Sequence, residues 1–121
     1  MNAIFKLYCK VPGLNGSEGL IREHFMNAKK RKDKYLILFL QQNQPKIKGK
    51  VKITYTRFTT RLMDWDNHCA SFKHLGDALV KLGTIEDDNP KIVVIFDPKQ
   101  VKVKTKKEEV IIIEITDEFD L

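Results

Sequence analysis

The chain has 121 residues, the size of one domain, and we predict a single domain over 1–121. With 42% hydrophobic and 31% charged residues, the composition is that of a folded protein and argues against a disordered chain. The 22 Lys and Arg residues outnumber the 16 Asp and Glu, and the resulting formal charge of +6 favours a polyanionic partner.

The cysteine content and the hydropathy pattern bear on where the protein works. Cys9 and Cys69 are the 2 cysteines, and no signal-like apolar stretch is seen near the first residue. No segment approaches the roughly 20 consecutive apolar residues of a membrane span. We therefore expect a cytoplasmic protein with reduced thiols and no membrane contact.

Alternation of apolar residues predicts a first strand over Ala3–Val11, with the odd positions facing the core. The turn formers that begin at Pro12 end this strand. The stretch Ser17–His24 has no clear period, and we predict a loop there.

Apolar residues at helical spacing predict a long helix from Phe25 to Gln44. The apolar run Tyr35–Leu40 would also fit a buried strand, but the length of the periodic segment and its polar end favour a helix. The basic run near the start of this helix is either a solvated face or a row of phosphate contacts.

The segment Lys46–Tyr55 alternates lysine with apolar residues and predicts a second strand. Its lysines would share one sheet face or edge, where they would either protect an edge strand or bind an anion. Arg57 and Arg61 continue the basic character, and an arginine beside a phosphate could stabilise developing charge.

The segment that follows is rich in carboxylates. Asp64 and Asp66 flank Trp65, and an extended backbone there would place both acids on one face. Asp88 follows the next predicted helix, and an oxygen-rich cluster of this kind suits a hard divalent cation. A plainer interpretation is a helix N-cap at Asp66 or Asn67 and an ordinary polar turn at Glu86–Pro90.

A second helix is predicted over Asn67–Gly83, with its apolar stripe facing the core and Gly83 just past its end. Lys73 lies four residues before Asp77 and would form a weak surface ion pair unless it has a role in a site.

Two near-continuous apolar runs, Ile92–Phe96 and Val110–Ile115, predict strands covered on both faces. Between them, Val101–Lys104 alternates and predicts a basic hairpin arm. The order of elements predicts an α+β fold, with a small mixed β-sheet packed against two helices.

The pattern Asp-x-Asp-Asn, then a helix with a lysine and Asp-Ala-Leu-x-Lys-x-Gly, then Asp-Asp, resembles the RusA family of Holliday junction resolvases. The resemblance covers about Arg61 to Asp88. It implies a RusA-like fold, a homodimer, a four-way DNA junction as substrate, and Mg²⁺ with Mn²⁺ as a possible substitute. By this resemblance, the metal ligands are Asp64, Asp66 and Asp88, and Lys73 is needed for cleavage.

The position of Lys73 departs from the family pattern. It lies about three residues later after Asp66 than in the enteric bacterial prototype. A shift of that size turns the side chain by only about 60° on a helix, so Lys73 would face the same side one turn further along.

The leading hypothesis is a metal-dependent, structure-selective endonuclease that resolves four-way DNA junctions. The alternatives are a branched-DNA-binding module that does not cut and a metal-dependent enzyme acting on a small phosphorylated substrate. An EF-hand is disfavoured because Leu75 occupies the position of its bidentate Glu, and zinc because no His or Cys pair has ligand spacing. The predicted DNA contacts are Lys29, Lys30, Arg31, Lys32, Lys46, Lys48, Lys50, Lys52, Arg57, Arg61, Lys102 and Lys104.

Overall fold

The computed structural model describes residues 1–13 and 25–120, so the loop predicted at Ser17–His24 lies outside the described residues. The fold is α+β, with a mixed sheet of 4 strands and two α-helices, as the sequence predicts. In chain order, the elements are β1 (Asn2–Leu7), α1 (Phe25–Gln41), β2 (Val51–Thr59), α2 (Trp65–Leu82), β3 (Val93–Lys102), a 3₁₀ turn (Lys106–Glu108) and β4 (Val110–Thr116).

The strands lie in the order β1-β4-β2-β3, so β1 and β3 are the two edges. The β1–β4 and β4–β2 pairs are antiparallel, whereas β2 and β3 are parallel, with Val51 beside Val93. A parallel pair needs a crossover connection, which α2 provides. As a result, the residues before α2 and those after it lie at opposite ends of this β-α-β unit.

The core lies between one face of the sheet and the two helices. On β1, the odd residues Ala3, Phe5 and Leu7 are buried, as the alternation predicts. The ring of Phe5 packs 4.8 Å from that of Phe39, which α1 contributes. Since Tyr35 and Phe39 are buried one helical turn apart, the strand interpretation of Tyr35–Leu40 is wrong.

The second strand begins later than predicted, at Val51 instead of Lys46. Gly49 has a φ of +79°, which interrupts an extended strand. The Ile47 amide donates to the carbonyl of Thr84 instead of to a strand neighbour. Lys46, Lys48 and Lys50 therefore lie in an exposed segment before β2, and not on a sheet face.

Lys52 is the one lysine of this run that lies within β2. Because β2 is paired on both sides, protection of a sheet edge does not explain this lysine.

The basic arm predicted at Val101–Lys104 is not a separate strand. Val101 and Lys102 complete β3, and the 3₁₀ turn then leads to β4. The residues of β3 are partly buried or exposed, as expected for an edge, and β4 buries only alternate residues, so the prediction that both apolar strands are covered on both faces is wrong for both. In β4, Ile111, Ile113 and Ile115 are buried.

Helix α2 ends as predicted, since Gly83 adopts a φ of +86° and its amide donates to the carbonyls of Leu79 and Val80. In the described part of the chain, neither helix has the length and apolarity that crossing a bilayer requires.

Candidate functional site

The two neighbouring aspartates lie where the chain enters α2. Asp64 occupies the N-cap position, with φ −58° and ψ 148°, but its carboxylate makes no capping hydrogen bond. Asp66 lies in the first turn, and both side chains are exposed. Negative charge at this end of a helix is favoured by the helix dipole. We call residues 63–68 the acidic turn.

The acidic turn is helical from Trp65 onward, so the predicted extended backbone around that residue is wrong. The alternative of an N-cap at Asp66 or Asn67 is also wrong, because both residues lie inside the helix and Asp64 holds the N-cap position, where its carboxylate makes no capping hydrogen bond. Both carboxylates therefore stay available to a ligand.

A buried polar network lies beneath the acidic turn, between β2 and α2. Arg57, only 8% exposed, donates from Nε to Nδ1 of His68 over 3.2 Å. Its Nη2 donates to the hydroxyls of Tyr55 at 3.2 Å and Ser71 at 3.0 Å. The Tyr55 and Ser71 hydroxyls are 2.7 Å apart. The guanidinium is thus held mainly by neutral groups.

His68 is 0% exposed, and its ring stacks on that of Tyr55 with centroids 4.5 Å apart. Burial, and secondarily the Arg57 charge, lowers the pKa of His68 to about 4. The imidazole is therefore neutral at pH 7. Its Nδ1 accepts the Arg57 hydrogen bond, and its Nε2 lies 3.3 Å from the Tyr55 carbonyl, to which it donates in that tautomer.

Arg57, which the sequence predicted to contact DNA, is enclosed by this network, so it is not an exposed basic side chain in this structure. The alternation of β2 places Arg57 on the face that carries Ile53 and Tyr55. His68 and Ser71 likewise share a helical stripe with Leu75. The periodicity of both elements therefore indicates burial at position 57, whereas the charge of arginine favours exposure.

Gln100 makes hydrogen bonds to the backbone at the first residue of the acidic turn. The amide of Met63 donates to Oε1 of Gln100 at 3.0 Å, and Nε2 of Gln100 donates to the Met63 carbonyl at 2.8 Å. Gln100 lies beside Arg57 in the β2–β3 pair. No sequence motif pointed to this residue.

Asp88 lies apart from the acidic turn. Its side chain lies beside Gly76 of α2, where a Cβ would be 3.8 Å from Oδ2 of Asp88. Gly76 follows Asp66 by ten residues, which is about 15 Å along a helix. Burial, contact with Asp87 and the charge of Asp77 raise the pKa of Asp88.

The expected cluster of three acids is therefore not assembled within the chain. Over 1–13 and 25–120, no three His, Cys, Asp or Glu side chains form a group that could hold a metal ion. The physical reason is the parallel pairing of β2 with β3, which places the start of α2 and the loop after it at opposite ends. Of the three predicted metal ligands, only the Asp64 and Asp66 carboxylates would therefore bind a cation at the acidic turn.

Lys73 is exposed on α2, on the helix face that also carries Asp66 and Asp77. Asp77 forms an ion pair with Lys32 of α1, with 3.1 Å between Nζ and Oδ2. No ion pair joins Lys73 to Asp77 in the described residues, so the surface-pair interpretation of Lys73 finds no contact here.

The basic residues fall into groups at different ends of the molecule. Arg61 follows β2, and Lys102 and Lys104 lie at the end of the parallel strand β3, so all three are at the same end as the acidic turn. They are exposed. We call them the turn-side bases. Lys46, Lys48 and Lys50 precede β2 at the opposite end, and Lys29, Lys30, Arg31 and Lys32 lie on α1.

Neither the family models nor the curated proteins compared with this chain gave a match.

Proposed function

We propose that this protein is a metal-dependent endonuclease that acts on branched DNA, with Asp64 and Asp66 as the carboxylates that bind the cation. The observation that carries the proposal is the presence of two exposed aspartates, two residues apart, at the start of α2, where the Asp64 carboxylate makes no capping hydrogen bond. The RusA-like motif over Arg61 to Asp88 supports four-way DNA junctions as the substrate.

Two carboxylates suit a magnesium ion that also binds its substrate. Mg²⁺ in phosphoryl-transfer sites is commonly held by one or two carboxylates together with substrate phosphates. When bound, such an ion stabilises charge on the scissile phosphate and makes a coordinated water more acidic. Mn²⁺ would serve as a substitute.

The turn-side bases support the same substrate class. Arg61, Lys102 and Lys104 place positive charge at the end of the sheet where the acidic turn lies, and each can contact a DNA phosphate. Lys73, seven residues beyond Asp66, would contact a phosphate further along the strand. We include a cytoplasmic location and a homodimer in the proposal, since paired sites suit a junction that is cut at two symmetric places.

A second candidate is a branched-DNA-binding module that does not cut. The position of Asp88 beside Gly76 favours it, because the third acid implied by the resemblance is separated from the pair. This candidate predicts junction binding with no cleavage in the presence of either cation.

One experiment separates the two candidates. Wild type, Asp66→Asn and Asp120→Asn are incubated with a synthetic mobile four-way junction or a matched linear duplex, with Mg²⁺, Mn²⁺ or no metal. Denaturing gels report cleavage, and gel shifts without metal report binding. The nuclease proposal predicts cleavage of the junction by wild type and Asp120→Asn only, whereas binding without any cleavage would support the second candidate.

A further inference from the structure

The backbone of the acidic turn is attached to the sheet by a side chain and not by strand pairing. Gln100 uses both ends of its amide, since Oε1 accepts from the Met63 N–H and Nε2 donates to the Met63 carbonyl. This double contact fixes the residue immediately before Asp64. It reproduces the pair of hydrogen bonds that a neighbouring strand would make.

The far side of the turn is already fixed. His68, four residues after Asp64, is held by Arg57 and by its stacking on Tyr55. The carboxylates of Asp64 and Asp66 thus lie between two anchored points, one on β3 and one on β2.

We propose that Gln100 is a positioning residue for a cation site formed by Asp64 and Asp66. This inference rests on the proposed function. Gln100 touches neither carboxylate. It restricts the backbone from which Asp64 projects, and outer contacts of this kind determine how well a metal's ligands are oriented.

The chain contains a matched control for this contact. Gln42 makes the same double contact with Lys6 on the other edge strand, β1: it accepts from the Lys6 N–H at 2.7 Å and donates to the Lys6 carbonyl at 2.8 Å. Both glutamines are partly buried. Gln42→Ala therefore removes the same kind of double contact, together with the hydrogen bond that Gln42 Nε2 donates to the Leu38 carbonyl at 3.2 Å, but only Gln100→Ala acts beside the acidic turn.

The chain also contains a probe of the turn. Trp65 is its 1 tryptophan, lies between the two acids and is 58% exposed. Time-resolved fluorescence anisotropy of the metal-free protein therefore reports the local mobility of the acidic turn directly.

The test measures the mobility of Trp65 and the affinity for Mn²⁺. It compares wild type with Gln100→Ala, Gln42→Ala and Asp66→Asn, after a cooperative urea unfolding transition has shown that each variant is folded. Electron paramagnetic resonance of free Mn²⁺ gives the metal affinity without DNA. We expect Gln100→Ala to increase the fast depolarisation of Trp65 and to weaken Mn²⁺ binding by about tenfold. We expect Gln42→Ala to match wild type in both measurements.

The possible failures are distinguishable. If Asp66→Asn loses Mn²⁺ binding while Gln100→Ala keeps the wild-type affinity and Trp65 mobility, the positioning role of Gln100 is overturned and the proposed function stands. If wild type itself binds no Mn²⁺, the proposed cation site is wrong, and the role of Gln100 in it fails as well.

Discussion

Arg57 and His68 form a buried hydrogen bond, 3.2 Å from Nε to Nδ1, that joins β2 to the first turn of α2. In this structure, the basic residue lies buried beneath the acidic turn and hydrogen-bonds protein side chains. Burial, and secondarily the Arg57 charge, lowers the pKa of His68 and keeps its imidazole neutral, so that Nδ1 accepts this hydrogen bond. The acidic turn is built on this polar support.

Removal of the Arg57 side chain should therefore cost stability. Arg57→Ala leaves Nδ1 of His68 without its donor, removes one hydrogen bond each from the Tyr55 and Ser71 hydroxyls, and opens a cavity. We expect the free energy of unfolding to fall by about 2–4 kcal/mol. Urea denaturation measures this, and Arg61→Ala, at an exposed position, should change it by less than about 0.5 kcal/mol. Equal losses in the two variants would contradict the network.

Substitution of Asp88 tests whether the cation is bound by Asp64 and Asp66 alone or by these two residues together with Asp88. Partial burial, contact with Asp87 and the charge of Asp77 raise the pKa of Asp88, so its charged form is slightly disfavoured at this mostly exposed position. Asp88→Asn should leave the free energy of unfolding unchanged or raise it by a few tenths of a kcal/mol. It should also retain most of the junction cleavage that Asp66→Asn loses. Complete loss of cleavage in Asp88→Asn would mean that the three acids act on one cation, as the family resemblance implies.

Glu109 should make stability depend on pH. Two hydrogen bonds from Thr60 lower the pKa of the Glu109 carboxylate below its ordinary value of 4.5. The larger effect comes from the Thr60 backbone amide and the smaller from its hydroxyl. Folding thus favours the charged form, and this contribution is present above the unfolded pKa and lost as the pH falls through the folded one.

Glu109→Gln should accordingly lower the free energy of unfolding by about 1 kcal/mol at pH 7. The difference from wild type should shrink as the pH falls below 4.5. Denaturant titrations at several pH values measure it, with Glu108→Gln as the neighbouring control. A difference that does not depend on pH would show that the charge of Glu109 has no part in holding Thr60.

The turn-side bases should contribute more to junction binding than an equal charge at the other end. Replacing Arg61, Lys102 and Lys104 by Gln should weaken junction binding. It should also reduce the slope of log K against the logarithm of the salt concentration by about 3, roughly one unit for each phosphate contact. The matched variant replaces Lys46, Lys48 and Lys50 by Gln and has the same net charge. Equal effects would assign the binding to overall charge and not to this end of the molecule.

Local patterns in the sequence were enough to predict the helices and the core. The buried odd positions of β1 and the Gly83 end of α2 follow from periodicity and from glycine conformation. The start of β2 was misplaced because alternation continues through Lys46–Lys50, whereas the backbone turns at Gly49.

The arrangement of the candidate site depends on contacts between residues distant in sequence. Asp88 falls away from Asp66 because β3 pairs in parallel with β2, and no local pattern specifies that pairing. The contact between Gln100 and Met63 likewise joins residues 37 positions apart. The acidic pair was identified from a short motif, but its supporting residues required the fold.

The most direct test of the central claim is thermal unfolding during a Mg²⁺ titration, because a cation that binds only the folded state raises the unfolding temperature. We predict that the unfolding temperature of wild type and of Asp120→Asn rises with Mg²⁺, whereas that of Asp64→Asn and of Asp66→Asn does not. A wild-type unfolding temperature that is unaffected by Mg²⁺, or an equal rise in Asp66→Asn, would contradict a cation site at the start of α2.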